Sequence, residues 1–330
     1  MSIMDIMGIS DVVQAIVLPA AKLIDAVSGA IGKAYEPRHT RKLAEAKVHE
    51  INVIAEAVRN NSDLPIVYNS KGVSIDTSNF EEITKRASRR LAYQEIAKQQ
   101  NIEAVVDIAY EELENTETVS NEPVNRDWML RFFNSVEDIS NEDMQRIWGR
   151  ILAGEIKEPN TFSYRTLEKL KNMTQQEAKC FQLVSSLALY GDEKCFILQD
   201  AEIMNRHNVR FVNILELEEC GLMSAQTLSF KLNSSVNIAS NIHNPQIIGI
   251  IRGKEDKMKE LVIPCYVFTE SGSQLMKVIS PQVNQQYILD CLEAIRKEHK
   301  EFTVTAHNIK SISGNGIEYD DTNILPPENT

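Results

Sequence analysis

Closely spaced metal ligands are missing from this 330-residue chain. Its five cysteines (Cys180, Cys195, Cys220, Cys265, Cys291) never stand in C-x-x-C spacing, and its six histidines form no H-E-x-x-H. A zinc site is therefore not expected. Scattered cysteines in odd number, with no secretory signal ahead of them, read as free thiols in a reducing cytosol. No nucleophile elbow or triad spacing occurs, and the single Gly72 after Lys71 is no phosphate loop. Neither an enzyme nor a cofactor is expected. Glycine and proline are few, 13 and 10, which suggests long helices and few turns. Apolar runs are short. Within residues 3–32 the longest uncharged run, Val12 to Ala21, is interrupted by Pro19, too little for the roughly 20 residues a membrane span needs. Positive charge is the minority sign: 35 Lys and Arg against 47 Asp and Glu, net −12. This argues against nucleic-acid binding over the whole surface but leaves room for a local basic face.

What is present centres on Asn125 to Gly191. Trp128, Phe132, Phe133 and Val136 predict a first helix opening near Asn125, with Trp128 and Phe132 sharing a face. Ser140 reads as the N-cap of a second helix, with Asp143 at capping-box spacing. Met144, Ile147, Trp148, Ile151 and Leu152 then form one apolar stripe. Gly154 reads as its C-cap glycine and Pro159 as the stop. A third helix caps at Ser163, with Phe162 and Leu167 as a hydrophobic staple. A fourth caps at Thr174 with Glu177 completing T-x-x-E, and Gly191 ends it. Trp148, Phe162 and Phe181 read as core.

The run MQRIWGRILAGEIKEPNTFSYRTLEKLKNMTQQEAKCF resembles the core motif of an uncharacterised bacterial family. That family is similar to the abortive infection alpha (Abi-alpha) proteins linked to phage resistance. The shared pattern is a W-x-x-[IL]-L helix, a short loop, a T-L-x-x-L helix and an E-A pair, here Glu177-Ala178. The segments AIGKAYEPRHTRKLAEAK and RRLAYQEIAKQQNIEAVV extend the likeness. The resemblance implies family membership and a role in anti-phage defence.

Towards the amino terminus, Val13, Ile16, Val17, Ala20, Leu23, Ile24, Val27 and Ile31 form an apolar stripe that Pro19 should kink or break. Two readings compete: a helix that docks on its own chain or a second protomer, and a helix lying on a membrane surface. Ile16, Val17, Leu23, Ile24 and Val27 would carry either contact. More Asp than Lys on the polar side favours docking. A helix from Pro37 to about residue 60 should form a hairpin with a longer one, Phe80 to Leu113. Its expected apolar line is Ile83, Ala87 and Leu91. Lys85, Arg86, Arg89 and Arg90 put four cations on about two turns, the strongest candidate interaction residues. Pairing with the chain's own acidic segments is the alternative.

After Gly191 the pattern changes. Two short helices precede Cys220-Gly221. QIIGII (246–251) and ELVIPCYVF (260–268) read as strands joined by the polar turn RGKEDK. A helix capped by Thr269 and an amphipathic helix through Tyr287, Leu289, Leu292 and Ile295 follow, then a strand from Phe302. The order resembles a winged helix. Its candidate recognition helix, Asn208 to Glu219, starts with Arg206 and Arg210 but ends in Glu216, Glu218 and Glu219. Those carboxylates favour a protein contact over DNA.

The expectation is a mainly α chain. It has an N-terminal amphipathic helix (1–34), a long helical hairpin (35–120), a central helical domain (121–191), a winged-helix-like α+β part (192–312) and a flexible acidic tail (313–330). The expected function is that of a non-enzymatic interaction or effector protein of anti-phage defence, cytoplasmic or membrane-associated. Its partners would be a protein or a second copy, and a membrane surface through the N-terminal helix. The alternative is a nucleic-acid-binding regulator acting through the winged-helix part.

Overall fold

The computed structural model describes residues 7–31, 77–114, 116, 119–192, 194–314 and 316–327. Side chains are described for 19–31 and, Thr227 apart, from 83 onward. The expected helix 37–60 and the basic residues Lys33 to Lys47 lie outside the described residues. The chain divides into two compact units, Met1–Leu167 and Glu168–Thr330, so the acidic stretch Glu111–Glu122 falls within the first.

The first unit is helical: α1 (Met7–Ile31), α2 (Thr77–Glu114), α3 (Arg126–Val136) and α4 (Glu142–Lys157), with α5 (Tyr164–Lys171) beginning inside it. Helix α1 runs unbroken through Pro19. The Asn125 side chain caps α3 by accepting the amides of Asp127 and Trp128. Asn141, one residue after the expected Ser140, caps α4 through the amide of Met144. The core is aromatic. Trp128 stacks on Phe132 at 5.2 Å, and Phe132 meets Trp148 edge-on at 5.5 Å. Around these rings Val105, Val106, Ala109 and Leu113 of α2 are buried with Ile151, Leu152 and Ile156 of α4. Gly149 lets α2 and α4 approach closely, since a Cβ there would lie 2.5 Å from Ile108 Cγ2.

The second unit holds helices α6 (Gln175–Ser185), α7 (Ala201–Arg206), α8 (Phe211–Glu219), α9 (Glu270–Ile279) and α10 (Gln285–Glu298). Its eight strands are β1 (Leu189–Gly191), β2 (Lys194–Leu198), β3 (Met223–Ser234), β4 (Ala239–His243), β5 (Ile247–Gly253), β6 (Lys259–Phe268), β7 (Phe302–Ser313) and β8 (Gly316–Tyr319). The strands form one sheet in the order β3-β6-β2-β1-β4-β5-β7-β8, every neighbouring pair antiparallel. Helix α10 lies across β5 and β7. Gly249 makes the room, since a Cβ there would meet Leu292 Cδ2 at 2.3 Å. The buried Tyr287 hydroxyl accepts the Leu198 amide of β2 at 2.9 Å.

This corrects the mainly α expectation: the fold is mixed α/β with a large antiparallel sheet. It also removes the winged helix. β5 and β6, expected as the two arms of a wing, are not neighbours. β5 lies between β4 and β7, and β6 between β3 and β2. The reason is that sheet partners are non-local: Ile251 pairs with Val304, and Phe196 with Val267. β3 shows its period of two only near its end, where Phe230 and Leu232 are buried while Lys231 and Asn233 are exposed.

The expected flexible tail is corrected as well. β8 pairs with β7. Beyond it the Asn323 side chain accepts the Ala306 amide at 3.0 Å, and the Ile324 amide donates to Ala306 O at 2.8 Å. The buried Arg296 donates to Pro326 O at 2.8 Å. Deleting residues 314–330 strips these partners and bares the β7 edge. It is expected to cost about 1–2 kcal/mol, read as a lower midpoint in urea unfolding followed by circular dichroism.

Candidate functional site

The four cations singled out in the sequence ride on the amino-terminal half of α2. Lys85, Arg86, Arg89 and Arg90 are all exposed, and none makes an ion pair or hydrogen bond with a described residue. Lys98, two turns on, is instead held by Glu137 at 2.8 Å, and Arg150 by Glu112 at 3.0 Å. The division follows from packing. The second half of α2 buries Val105 to Leu113 and brings acidic neighbours within reach, while the first half has no such face among the described residues. Ile83 and Leu91, expected to pack, are each 53% exposed.

Helical spacing turns these residues into a surface. Arg86, Arg90 and Tyr93 stand at i, i+4 and i+7, and Arg89 is four before Tyr93, so the four share one face. Tyr93 is 75% exposed. Guanidinium forks match carboxylate or phosphate oxygens, and an exposed ring offers a stacking platform. The sequence reading found the cations and missed Tyr93. Its position three and four residues after two arginines was the available signal.

The N-terminal candidates separate. Ile16 and Val17 lie outside the described side chains. Leu23 and Val27 are fully buried, on a helix that touches α2, α3 and α4, and Ile24 is half-buried. Leu23 and Val27 are thus packed in the core of the first unit. Among the described residues no helix is long and apolar enough to cross a membrane.

The G-E-I-K-E-P-N-T-F part of the central motif is a structural clasp. Gly154 is no helix end, since α4 runs on to Lys157. It leaves space for the Phe162 ring, 2.7 Å from where its Cβ would stand. Glu155 is buried, and its two carboxylate oxygens accept the amides of Asn160 (2.7 Å) and Phe162 (3.0 Å). Asn160 takes the left-handed φ of 71° that turns the loop. Trp128 Nε1 donates to Phe162 O at 2.7 Å. Burial holds the Glu155 carboxyl above the usual range despite its backbone hydrogen bonds. The T-x-x-E motif is a formed capping box, Thr174 with Glu177.

Two further groups of side chains carry titratable atoms. Asp290 accepts from His207 Nε2 at 3.0 Å and from Arg206 at 3.1 Å. Asn284 Oδ1 caps α10 by accepting the Tyr287 amide, so its amide nitrogen faces His207 Nδ1 at 3.0 Å. Nδ1 is therefore an acceptor and Nε2 the donor. Both nitrogens are used, and the imidazole fastens α7 to α10 without a lone pair left for substrate. The five cysteines are unpaired. Burial pushes the thiols of Cys180 up to about 11 and of Cys195 and Cys220 up to about 12, which keeps them protonated at neutral pH. Among the described residues no group of three or more His, Cys, Asp or Glu is placed to hold a metal.

Comparison with curated proteins finds no match, and comparison with solved structures finds none. One family profile does match, from Lys85 in α2 to Cys291 in α10. Its description assigns no activity and shows no link to the Abi-alpha proteins. With residues 85–291 matched, well over half of its length, the chain belongs to the family described as protein of unknown function (DUF2806).

Proposed function

We propose that this chain is a non-enzymatic interaction protein that docks an anionic partner on the amino-terminal half of α2. One observation carries the reading. In a protein of net charge −12, Lys85, Arg86, Arg89 and Arg90 form an exposed cluster that no described carboxylate neutralises. Exposed cations cost little to keep but raise the encounter rate with an oppositely charged surface. The resemblance of the central motif to Abi-alpha proteins supports reading that interaction as part of anti-phage defence.

A second reading, that the partner is nucleic acid, is favoured by Tyr93. Cations interleaved with an exposed aromatic suit a single strand, with phosphates on the guanidiniums and a base on the ring. The former route to nucleic acid, a winged helix, is not needed for it.

Lys85→Glu/Arg86→Glu/Arg89→Glu/Arg90→Glu tests both readings. All four side chains are exposed, so the melting temperature is expected to stay within a degree or two. Phage plaques should be fewer on cells carrying the natural chain than on empty-vector cells, and the reversal should restore them. Oligonucleotide anisotropy across a salt series separates the readings. A nucleic-acid partner predicts a log-log salt slope that shrinks by about 0.7 for each phosphate contact removed from a single strand. Protection that depends on the cluster without oligonucleotide binding identifies a protein partner. A reversal variant that unfolds sinks the proposal.

A further inference from the structure

The exposed side of α2 carries one continuous row of side chains. Arg86, Arg90 and Tyr93 open it, Ala97, Gln100 and Ala104 continue it, and Asp107, Glu111 and Glu114 close it, in alternating steps of four and three residues. That spacing holds one face of a helix in line. Val106, Ala109 and Leu113, all buried, lie on the opposite side. Arg86, Arg90, Tyr93, Gln100, Glu111 and Glu114 are exposed, and the small Ala97 and Ala104 are half-buried. The row is thus graded in charge: cations at one end, small and uncharged residues in the middle, carboxylates at the other end.

Pairing within the chain follows the same division. Lys98 and Glu112 of α2 stand away from this row, and both are matched, Lys98 by Glu137 at 2.8 Å and Glu112 by Arg150 at 3.0 Å. The charges at the two ends of the row are not. Arg86, Arg90 and the flanking Arg89, like Glu111 and Glu114, make no ion pair or hydrogen bond with a described residue. Gln100 is the midpoint: Arg86 and Glu114 are equally far from it along the helix, and so are Tyr93 and Asp107. A face graded in this way complements itself when reversed. A second α2 laid antiparallel, Gln100 against Gln100, sets every cation of the row opposite a carboxylate, whereas a parallel copy would set cation against cation.

We propose that α2 pairs antiparallel with α2 of a second copy of this chain. The inference rests on the docking reading of the cations and names the anionic partner: the acidic half of the same helix. Arg86 meets Glu114 of the second copy, Arg89 and Arg90 meet its Glu111, and Tyr93 faces its Asp107. Two-fold symmetry repeats each contact at the other end. Ala97 opposite Ala104 of the second copy lets the two helices approach closely at the centre. Exposed ion pairs are individually weak, but here every one is doubled, and charges along a helix pair set its direction as well as its strength.

The test is sedimentation velocity of the full chain between about 1 and 100 µM, the range of weak surface docking. The natural chain should dimerise. Arg86→Glu/Arg89→Glu and Glu111→Lys/Glu114→Lys should each weaken self-association about tenfold or more, because each sets like charges opposite one another. All four positions are exposed, so the melting temperature followed by indole fluorescence should stay within a degree or two. The first variant carries an α2 that is acidic at both ends and the second one that is basic at both ends. An equimolar mixture should therefore regain the dimer that neither forms alone. A natural chain that stays monomeric overturns the inference, and so does a dimer unmoved by either reversal or a mixture that stays monomeric. If the natural chain is monomeric and reversing the cations still abolishes plaque protection, self-pairing falls and the docking reading stands with another anionic partner. A dimer rescued by mixing, in cells that gain no protection, supports the pairing and removes the defence reading.

Discussion

Glu155→Ala is expected to cost the first unit about 2–4 kcal/mol. The substitution takes the carboxylate acceptors from the amides of Asn160 and Phe162; the buried Phe162 donor left unpaired costs about 1–3 kcal/mol, while the amide of the exposed Asn160 can turn to water. The freed loop also withdraws Phe162 O from Trp128 Nε1. Both tryptophans of the chain, Trp128 and Trp148, sit in this core, so indole fluorescence reports the first unit by itself. A fall in its melting temperature of roughly 10 °C is the expected result; a shift under two degrees would show that the clasp is dispensable.

The same carboxylate sets a pH dependence. Its folded pKa is raised above the ordinary 4.5 because burial outweighs the backbone hydrogen bonds. Between the unfolded and folded values the folded state holds more protons than the unfolded one. Its stabilising share is therefore complete below the unfolded value and is lost as pH rises through the folded value. Fluorescence-monitored stability should fall on going from about pH 4.5 towards neutrality, and Glu155→Gln should flatten that slope. Lys22, whose pKa is lowered mainly by burial, acts only on the alkaline side.

Gly272→Ala should be as damaging in the second unit, at about 3 kcal/mol. Gly272 stands in the first turn of α9, and a Cβ there would lie 2.2 Å from Leu222 O, a backbone atom that cannot swing aside. That carbonyl accepts the Thr269 amide at 2.9 Å. Thr269 Oγ1 in turn accepts the Gly272 amide and donates to Gly221 O. Making room separates α9 from the corner that begins β3, so overpacking adds to a lost cap. The circular dichroism transition of the sheet should move while the indole transition stays. An unchanged sheet transition would show that the corner yields.

Helix boundaries were legible because their causes are local. Asn125, Thr174 and Thr269 cap the helices that the spacing predicts, and the stripe through Trp148, Ile151 and Leu152 is buried as its period requires. The cations of α2 were legible too, because charge on an exposed helix needs no partner to be noticed. Gly154 was misread. A glycine before a proline looks like a helix end, and only the Phe162 ring packed against it explains its lack of a side chain.

The sheet could not be read in the same way. Strand identity in β5, β6 and β7 followed from composition and alternation. Their order did not, since β5 pairs with β7, and β6 with β2 and β3, across tens of residues. By itself the sequence determined the helical punctuation, the exposed basic face and the lack of closely spaced metal ligands, all properties of neighbouring residues. Only the tertiary structure decided the eight-stranded sheet, the strapped carboxyl-terminal segment, the burial of Leu23 and Val27, and the Glu155 clasp. Each of these depends on groups far apart in the chain meeting in one place, where burial and hydrogen-bond satisfaction are settled together.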